Sequence, residues 1–151
     1  MQKYIVSRDD SIYEAFPDLV KTDSGRLICV YTECAHHGNR ELSRIVFRKS
    51  DNRGKSWSPV HALTERRSGS QYHNCARISR LHDGRIAIAC DYISGEKLTD
   101  TREIKLWFSS DDGESWSDPM IIPGAHAIMP DKLIELMSGR WLIAAHSPSE
   151  T

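Results

Sequence analysis

The sequence predicts an all-β chain assembled from repeated four-stranded antiparallel units, and three observations carry that reading. An octapeptide recurs at a fixed distance, a Gly-Arg pair recurs in phase with it, and short β-branched runs fill the space between. The octapeptide Ser109-Ser110-Asp111-Asp112-Gly113-Glu114-Ser115-Trp116 has a near copy, Ser50-Asp51-Asn52-Arg53-Gly54-Lys55-Ser56-Trp57, 59 residues upstream. Gly25-Arg26 and Gly84-Arg85 each precede the octapeptide glycine of their own unit by 29 residues, and Gly139-Arg140 follows the second pair by 55. Fixed periods of this length belong to solenoids or propellers.

Local pattern decides between them. No segment sustains a helical period, whereas Arg26-Leu27-Ile28-Cys29-Val30-Tyr31 and Arg85-Ile86-Ala87-Ile88-Ala89-Cys90 are short, apolar and β-branched, as strands buried on both faces should be. The first unit reads as strand A at 16–22, B at 26–32, C at 43–49 and D at 58–63. The second reads as A at 76–82, B at 85–92, C at 103–109 and D at 117–122. Each octapeptide follows an apolar run and precedes Ser-Pro or Ser-Asp-Pro, which places it in the tight C–D connection. Repeated four-stranded antiparallel units are propeller blades. They fall at 13–64, 72–123 and, for the start of a third, 126–151, and the next octapeptide Trp is expected near 171, beyond Thr151.

Composition is compatible with an ordinary globular core, at 39% hydrophobic and 27% charged residues. A net charge of −1 recruits neither nucleic acid nor an anionic membrane. Cys29, Cys34, Cys75 and Cys90 lack zinc-type spacing, and no disulfide framework, metal or cofactor is expected. The N-terminus has no apolar signal region and no stretch approaches a membrane span, so a cytoplasmic location is expected.

Ser-x-Asp-x-Gly-x-Ser/Thr-Trp is the Asp-box, or bacterial neuraminidase repeat. The second copy matches every fixed position, and the first has Asn52 in place of Asp. With two boxes in phase with two Gly-Arg hairpins, the chain resembles the sialidase-like six-bladed β-propellers. The resemblance implies a ring of about 340 residues, of which about two and a half blades are present. It also implies that the remaining blades are a partner of this arc and that Met1–Ser7 is a strand completing the last blade.

The octapeptide residues Ser50, Asn52, Gly54, Trp57, Ser109, Asp111, Gly113 and Trp116 have structural tasks. Asp111 should cap amides of its own turn, Gly113 should be left-handed, and Trp57 and Trp116 should pack between sheets. By strand alternation the A–B turns and the octapeptides share one rim, so the B–C and D–A loops form the other. Function belongs on that second rim. It collects Glu33, His36, His37 and Arg40, together with His73, Asp91 and His146. Counting seven residues back from each Gly-Arg glycine gives Asp18, Arg77 and Lys132, charged residues that suit a polar central pocket, and Asp131 stands beside the last.

In the family that the chain resembles, blade one opens with Phe/Tyr-Arg-Ile-Pro, whose Arg binds the substrate carboxylate. The matching segment here is Glu14-Ala15-Phe16-Pro17, which puts Ala15 at the Arg position. The family's acid/base Asp follows strand B, where this chain offers Glu33, His36 and His37. The resemblance therefore implies a glycoside hydrolase, an exo-α-sialidase or related enzyme acting on a glycan. Glu33 or His37 is the catalytic candidate, and Asp18, His36, Arg40, His73, Arg77, Asp91, Asp131, Lys132 and His146 contact substrate. This arc alone is expected to be silent. A non-catalytic glycan- or protein-binding propeller is the alternative. A metal site from His36, His37, His73 and Cys34 or Cys75 is a third, although no ligand spacing supports it.

Overall fold

The computed structural model describes residues 3–95 and 100–147. The strands are β1 (Tyr13–Lys21), β2 (Leu27–Cys34), β3 (Arg44–Ser50), β4 (His61–Ala62), β5 (Gln71–Arg80), β6 (Ile86–Ser94), β7 (Thr101–Ser109), β8 (Met120–Ile121), β9 (Ile134–Glu135) and β10 (Trp141–Leu142). No helix occurs among the described residues, so none is long and apolar enough to cross a membrane. β1-β2-β3-β4 form one antiparallel sheet, β5-β6-β7-β8 a second, and β9 pairs with β10. Strand order follows chain order, the meander that the repeat predicts.

Alternation along β2 explains how the sheets stack. Ile28 and Val30 join Ile45 and Phe47 against Ala76, Ile78, Ile86, Ile88, Cys90 and Trp107 of the second sheet. Each such aliphatic side chain contributes about 1.5–3 kcal/mol when buried. Cys29 and Tyr31 point the other way, into a cluster with Val46, Trp57 and Val6. Val6 thus covers the outer face of the first sheet. Residues 3–12 form no strand; the pairing expected for Met1–Ser7 is with the last blade of the ring, which this chain does not contain, and Met1 and Gln2 lie outside the described residues. All four cysteines are free and buried.

Both octapeptides close in the same way. Ser109 Oγ accepts the Gly113 amide at 2.9 Å, and Asp111 Oδ1 accepts the Ser115 amide at 2.9 Å. Hydrogen bonds from the Ser115 hydroxyl and amide, then from Ser109, hold the Asp111 carboxyl down at about 2. In the first copy Asn52 Oδ1 accepts the Ser56 amide at 2.9 Å while its Nδ2 donates to Ser56 Oγ at 2.7 Å, so the amide performs the carboxylate's task. Gly54 and Gly113 have φ of 81° and 79°. The Trp116 ring meets Phe47 edge-on at 5.6 Å, across the two sheets. Arg26 Nε binds Asp51 at 2.7 Å and Nη1 binds Glu114, which fixes the A–B turn and both octapeptides on one rim.

Element boundaries differ from expectation for local reasons. β1 and β5 begin at Tyr13 and Gln71, earlier than expected, because each crosses a bulge, at Ala15/Asp18 and Asn74/Arg77, and resumes pairing beyond it. β4 and β8 are two residues each because Pro59 and Pro119, lacking an N–H, precede them.

Candidate functional site

Three residues with positive φ mark the mouths of the inner strands: Phe16 (54°), Cys75 (49°) and Met129 (53°). The same deformation at each unit identifies equivalent positions. Two residues further on stand Asp18, Arg77 and Asp131, and their partners in the neighbouring strand are Val30, Ala89 and, through the Asp131 amide at 2.7 Å, Ala144. Asp131, and not Lys132, is therefore the third member of the set. Its strand carries one more residue before the turn than its two predecessors, so counting back from the glycine lands one position late.

Asp18 is the hub of the inner strands. Its Oδ1 accepts the Leu19 amide at 2.8 Å and meets Lys132 Nζ at 2.9 Å, and its Oδ2 accepts the Ile78 amide of the second sheet at 3.0 Å. Asp131 Oδ1 repeats the first of these bonds with the Lys132 amide at 2.7 Å. Arg77 Nη1 donates to the carbonyl of Ala76 at 3.1 Å and faces a cleft of about 330 Å³. Met129, Pro130, Asp131, Ala144 and His146 line the same cleft. Cation, carboxylate and imidazole thus meet in one depression beside the inner strands.

The first B–C loop forms a second group. Tyr13 Oη and His37 Nδ1 are 3.1 Å apart, and the His37 ring lies 6.5 Å from that of Phe16. The Arg40 guanidinium sits over the Phe16 ring at 5.5 Å and donates to Cys34 Sγ at 3.4 Å. His36 is exposed, and its Nδ1 accepts the Gly38 amide at 3.3 Å. Tyr13 is absent from the sequence expectation for the site; the early start of β1 brings it there, beside Phe16.

Glu33 lies apart from both groups. It is buried, and its Oε2 accepts from Arg44 Nε at 2.7 Å and from Arg66 Nη2 at 3.1 Å. Glu33 pairs across strands with Arg44 on the side of β2 that Cys29 and Tyr31 share, away from the second sheet. A carboxylate held by two guanidiniums anchors the loop that bears Arg66.

Two further expected substrate contacts are buried and engaged elsewhere. Asp91 has no exposed surface, and its Oδ2 accepts the Met129 amide at 3.1 Å. Burial pushes its carboxyl up to about 6 against the opposing pull of the Met129 amide and of Arg40 and Arg77. His73 packs on Tyr92 at 4.9 Å and Trp107 at 5.9 Å, and burial, helped by Lys105 and Arg67, holds its imidazole down at about 4. Neither side chain reaches the surface as expected: both support the rim from below. Among the described residues no three His, Cys, Asp or Glu side chains converge as metal ligands.

No protein-family model matches the sequence, and no curated protein sequence does. Solved structures do match. A protein of unknown function from Dyadobacter fermentans DSM 18053 superposes with a TM-score of 0.71 at 17% identity, over 91% of this chain and 48% of that one. The Hadza microbial sialidase Hz136 gives 0.69 at 21% identity, over 86% and 31%. An endo-arabinase from Bacteroides thetaiotaomicron VPI-5482 gives 0.64 at 14%, over 91% and 52%. The chain spans about half or less of the length of these structures. The likeness defines a class: an all-β fold of four-stranded antiparallel sheets, as in propeller-type glycosidases. The chain is similar in fold to a sialidase and to an endo-arabinase.

Proposed function

We propose that the chain is part of a six-bladed, sialidase-like glycoside hydrolase, its octapeptides being Asp-boxes, and that its substrate is a glycan. The observation that carries the reading is the cleft in which Arg77, Asp131 and His146 meet beside the inner strands, on a fold shared with two glycosidases. Charged and polar groups converging in a depression beside packed strands suit hydrogen bonding to a sugar. His37, exposed and in contact with Tyr13 Oη, is the candidate for proton transfer, and Glu33 is the weaker one, because two arginines occupy its carboxylate. Asp18 and Lys132 face each other at the floor, while Asp91 and His73 hold the rim in place. Arg40 supplies the outer edge over Phe16, and His36 stands beside Tyr13.

Release of a fluorophore from a panel of glycosides, α-sialosides and α-arabinofuranosides included, by the protein with all its blades tests this reading. Turnover that falls at least about 100-fold in His37→Ala and in Arg77→Ala supports it. No turnover on any substrate overturns it. The engagement of Glu33 favours a second reading, a non-catalytic glycan-binding propeller, whose signature is glycan-array binding without hydrolysis.

A further inference from the structure

The boundary between the two sheets is latched at one repeated position. Arg80, the last residue of β5, binds the carboxylate of Asp23, which belongs to the A–B turn of the first sheet. Asp23 also fills the space over Gly84: a Cβ placed there would meet Asp23 Oδ2 at 2.8 Å. An acidic side chain from one unit thus sits in a socket made by a strand-end cation and a turn glycine of the next.

The following boundary uses the same two positions, with the carboxylate now at the strand end. Glu135 stands where Arg80 does, last before the turn, and His82 stands where Asp23 does. Glu135 Oε2 accepts the His82 amide at 2.6 Å and lies 3.7 Å from His82 Nδ1. Two successive boundaries therefore join a strand-end side chain to the preceding unit's turn at this point, and the glycine is covered at Gly84 and open at Gly139.

The first sheet carries a third copy of the socket, and it is open. Lys21, the last residue of β1, takes the place of Arg80, and Gly25 takes that of Gly84. A Cβ on Gly25 would meet nothing nearer than Lys21 Cε at 3.9 Å. A cavity of about 650 Å³ opens here, lined by Lys21, Ser24, Gly25, Arg26, Asp51 and Arg53. Arg26 is paired with Asp51, whereas Lys21 and Arg53 are exposed and make no ion pair among the described residues.

We propose that this socket receives a carboxylate side chain from the A–B turn of a further four-stranded unit packed against the first sheet. The occupant is acidic because Lys21 and Arg53 leave positive charge uncompensated, and it comes from a turn because Asp23 fills the socket at Gly84 from a turn and His82 meets Glu135 from the equivalent one. A second copy of this chain does not supply it. The corresponding turn position of the third unit is Met137, 93% exposed and uncharged, so the two ends of the arc do not match. The proposal rests on the internal repeat and is independent of any glycosidase activity.

The test uses a tandem variant in which residues 13–71 are repeated once, which preserves the 59-residue period and sets the first copy's Asp23 against the second copy's Lys21. Asp23→Lys in the first copy and Lys21→Asp in the second should each lower Tm by about 2–4 °C. The two together should restore it. A tandem variant that does not melt cooperatively, or three substituted forms with equal Tm, overturns the proposal. The parent chain provides a control on the template: Asp23→Lys and Arg80→Asp should each lower Tm and should compensate when combined, and failure to compensate overturns it as well.

Discussion

Arg26 Nη1 donates to the backbone carbonyl of Asp112 at 3.1 Å and so ties the first A–B turn to the octapeptide of the second sheet. The same guanidinium binds Asp51 and Glu114, whose carboxylates are largely exposed. Exposed ion pairs contribute little, so most of the effect lies in the half-buried bond to the carbonyl. Arg26→Ala is expected to cost about 1–2 kcal/mol in urea unfolding. Arg26→Lys should recover less than half of it, because a single ammonium cannot replace the fork. Full recovery by lysine would show that charge alone matters here.

The two octapeptide glycines differ in surroundings, which separates conformational strain from crowding. Gly54 and Gly113 share a left-handed φ, and an added Cβ is strained by about 1–2 kcal/mol at either. At Gly54 the nearest atom would be Leu27 Cδ1 at 3.6 Å, an ordinary contact, whereas at Gly113 it would be Ile28 Cδ1 at 2.6 Å. Ile28 is fully buried in the core between the sheets and has little room to yield. Gly113→Ala should therefore cost about 1–3 kcal/mol more than Gly54→Ala, and equal costs would place the strain in the backbone alone.

Asp18 accepts the amide of Ile78, a fully buried residue of the second sheet, and removing the acceptor strands that N–H away from water. Asp18→Ala is expected to cost about 1–3 kcal/mol. Asp18→Asn keeps an acceptor oxygen and loses the attraction to Lys132, so it should cost less. If Asn and Ala destabilise equally in urea unfolding, the Lys132 ion pair and not the amide carries the contact.

What was legible in the sequence was what local chemistry decides. The octapeptide turns follow from Ser, Asp and Gly identities within eight residues, and the strands follow from β-branched runs beside them. The site depended on contacts between units, which no spacing within a unit encodes. Asp91 became a buried support because the Met129 amide of the third unit covers it. Glu33 became an anchor because Arg66, 33 residues away in a loop, returns to it. Lys132 was misaligned with Asp18 and Arg77 because one extra residue before its turn shifts the count, and the positive φ at Met129 reveals the shift only as a backbone angle.

Asp91 and His73 lie on adjacent strands and oppose each other in acid. The Asp91 carboxyl is raised from 3.8 to about 6, so between those values the folded chain holds a proton that the unfolded chain releases, and stability falls as pH rises. The His73 imidazole is lowered from 6.5 to about 4, so between those values the unfolded chain holds the extra proton, and stability falls as pH drops. Each effect amounts to up to about 3 kcal/mol across its window, and the windows overlap between about 4 and 6, where the two slopes offset. Asp91→Asn keeps the acceptor for the Met129 amide and removes the Asp91 slope, so relative to the parent chain this variant should lose stability from about pH 6 down to about 4 and run parallel to it above pH 6. His73→Phe preserves the packing on Tyr92 and Trp107 and removes the His73 slope, so relative to the parent it should instead lose stability from about pH 4 up to 6.5. Urea midpoints of the three proteins across this range decide the matter, since parallel profiles would mean that neither group changes its protonation on unfolding as burial requires.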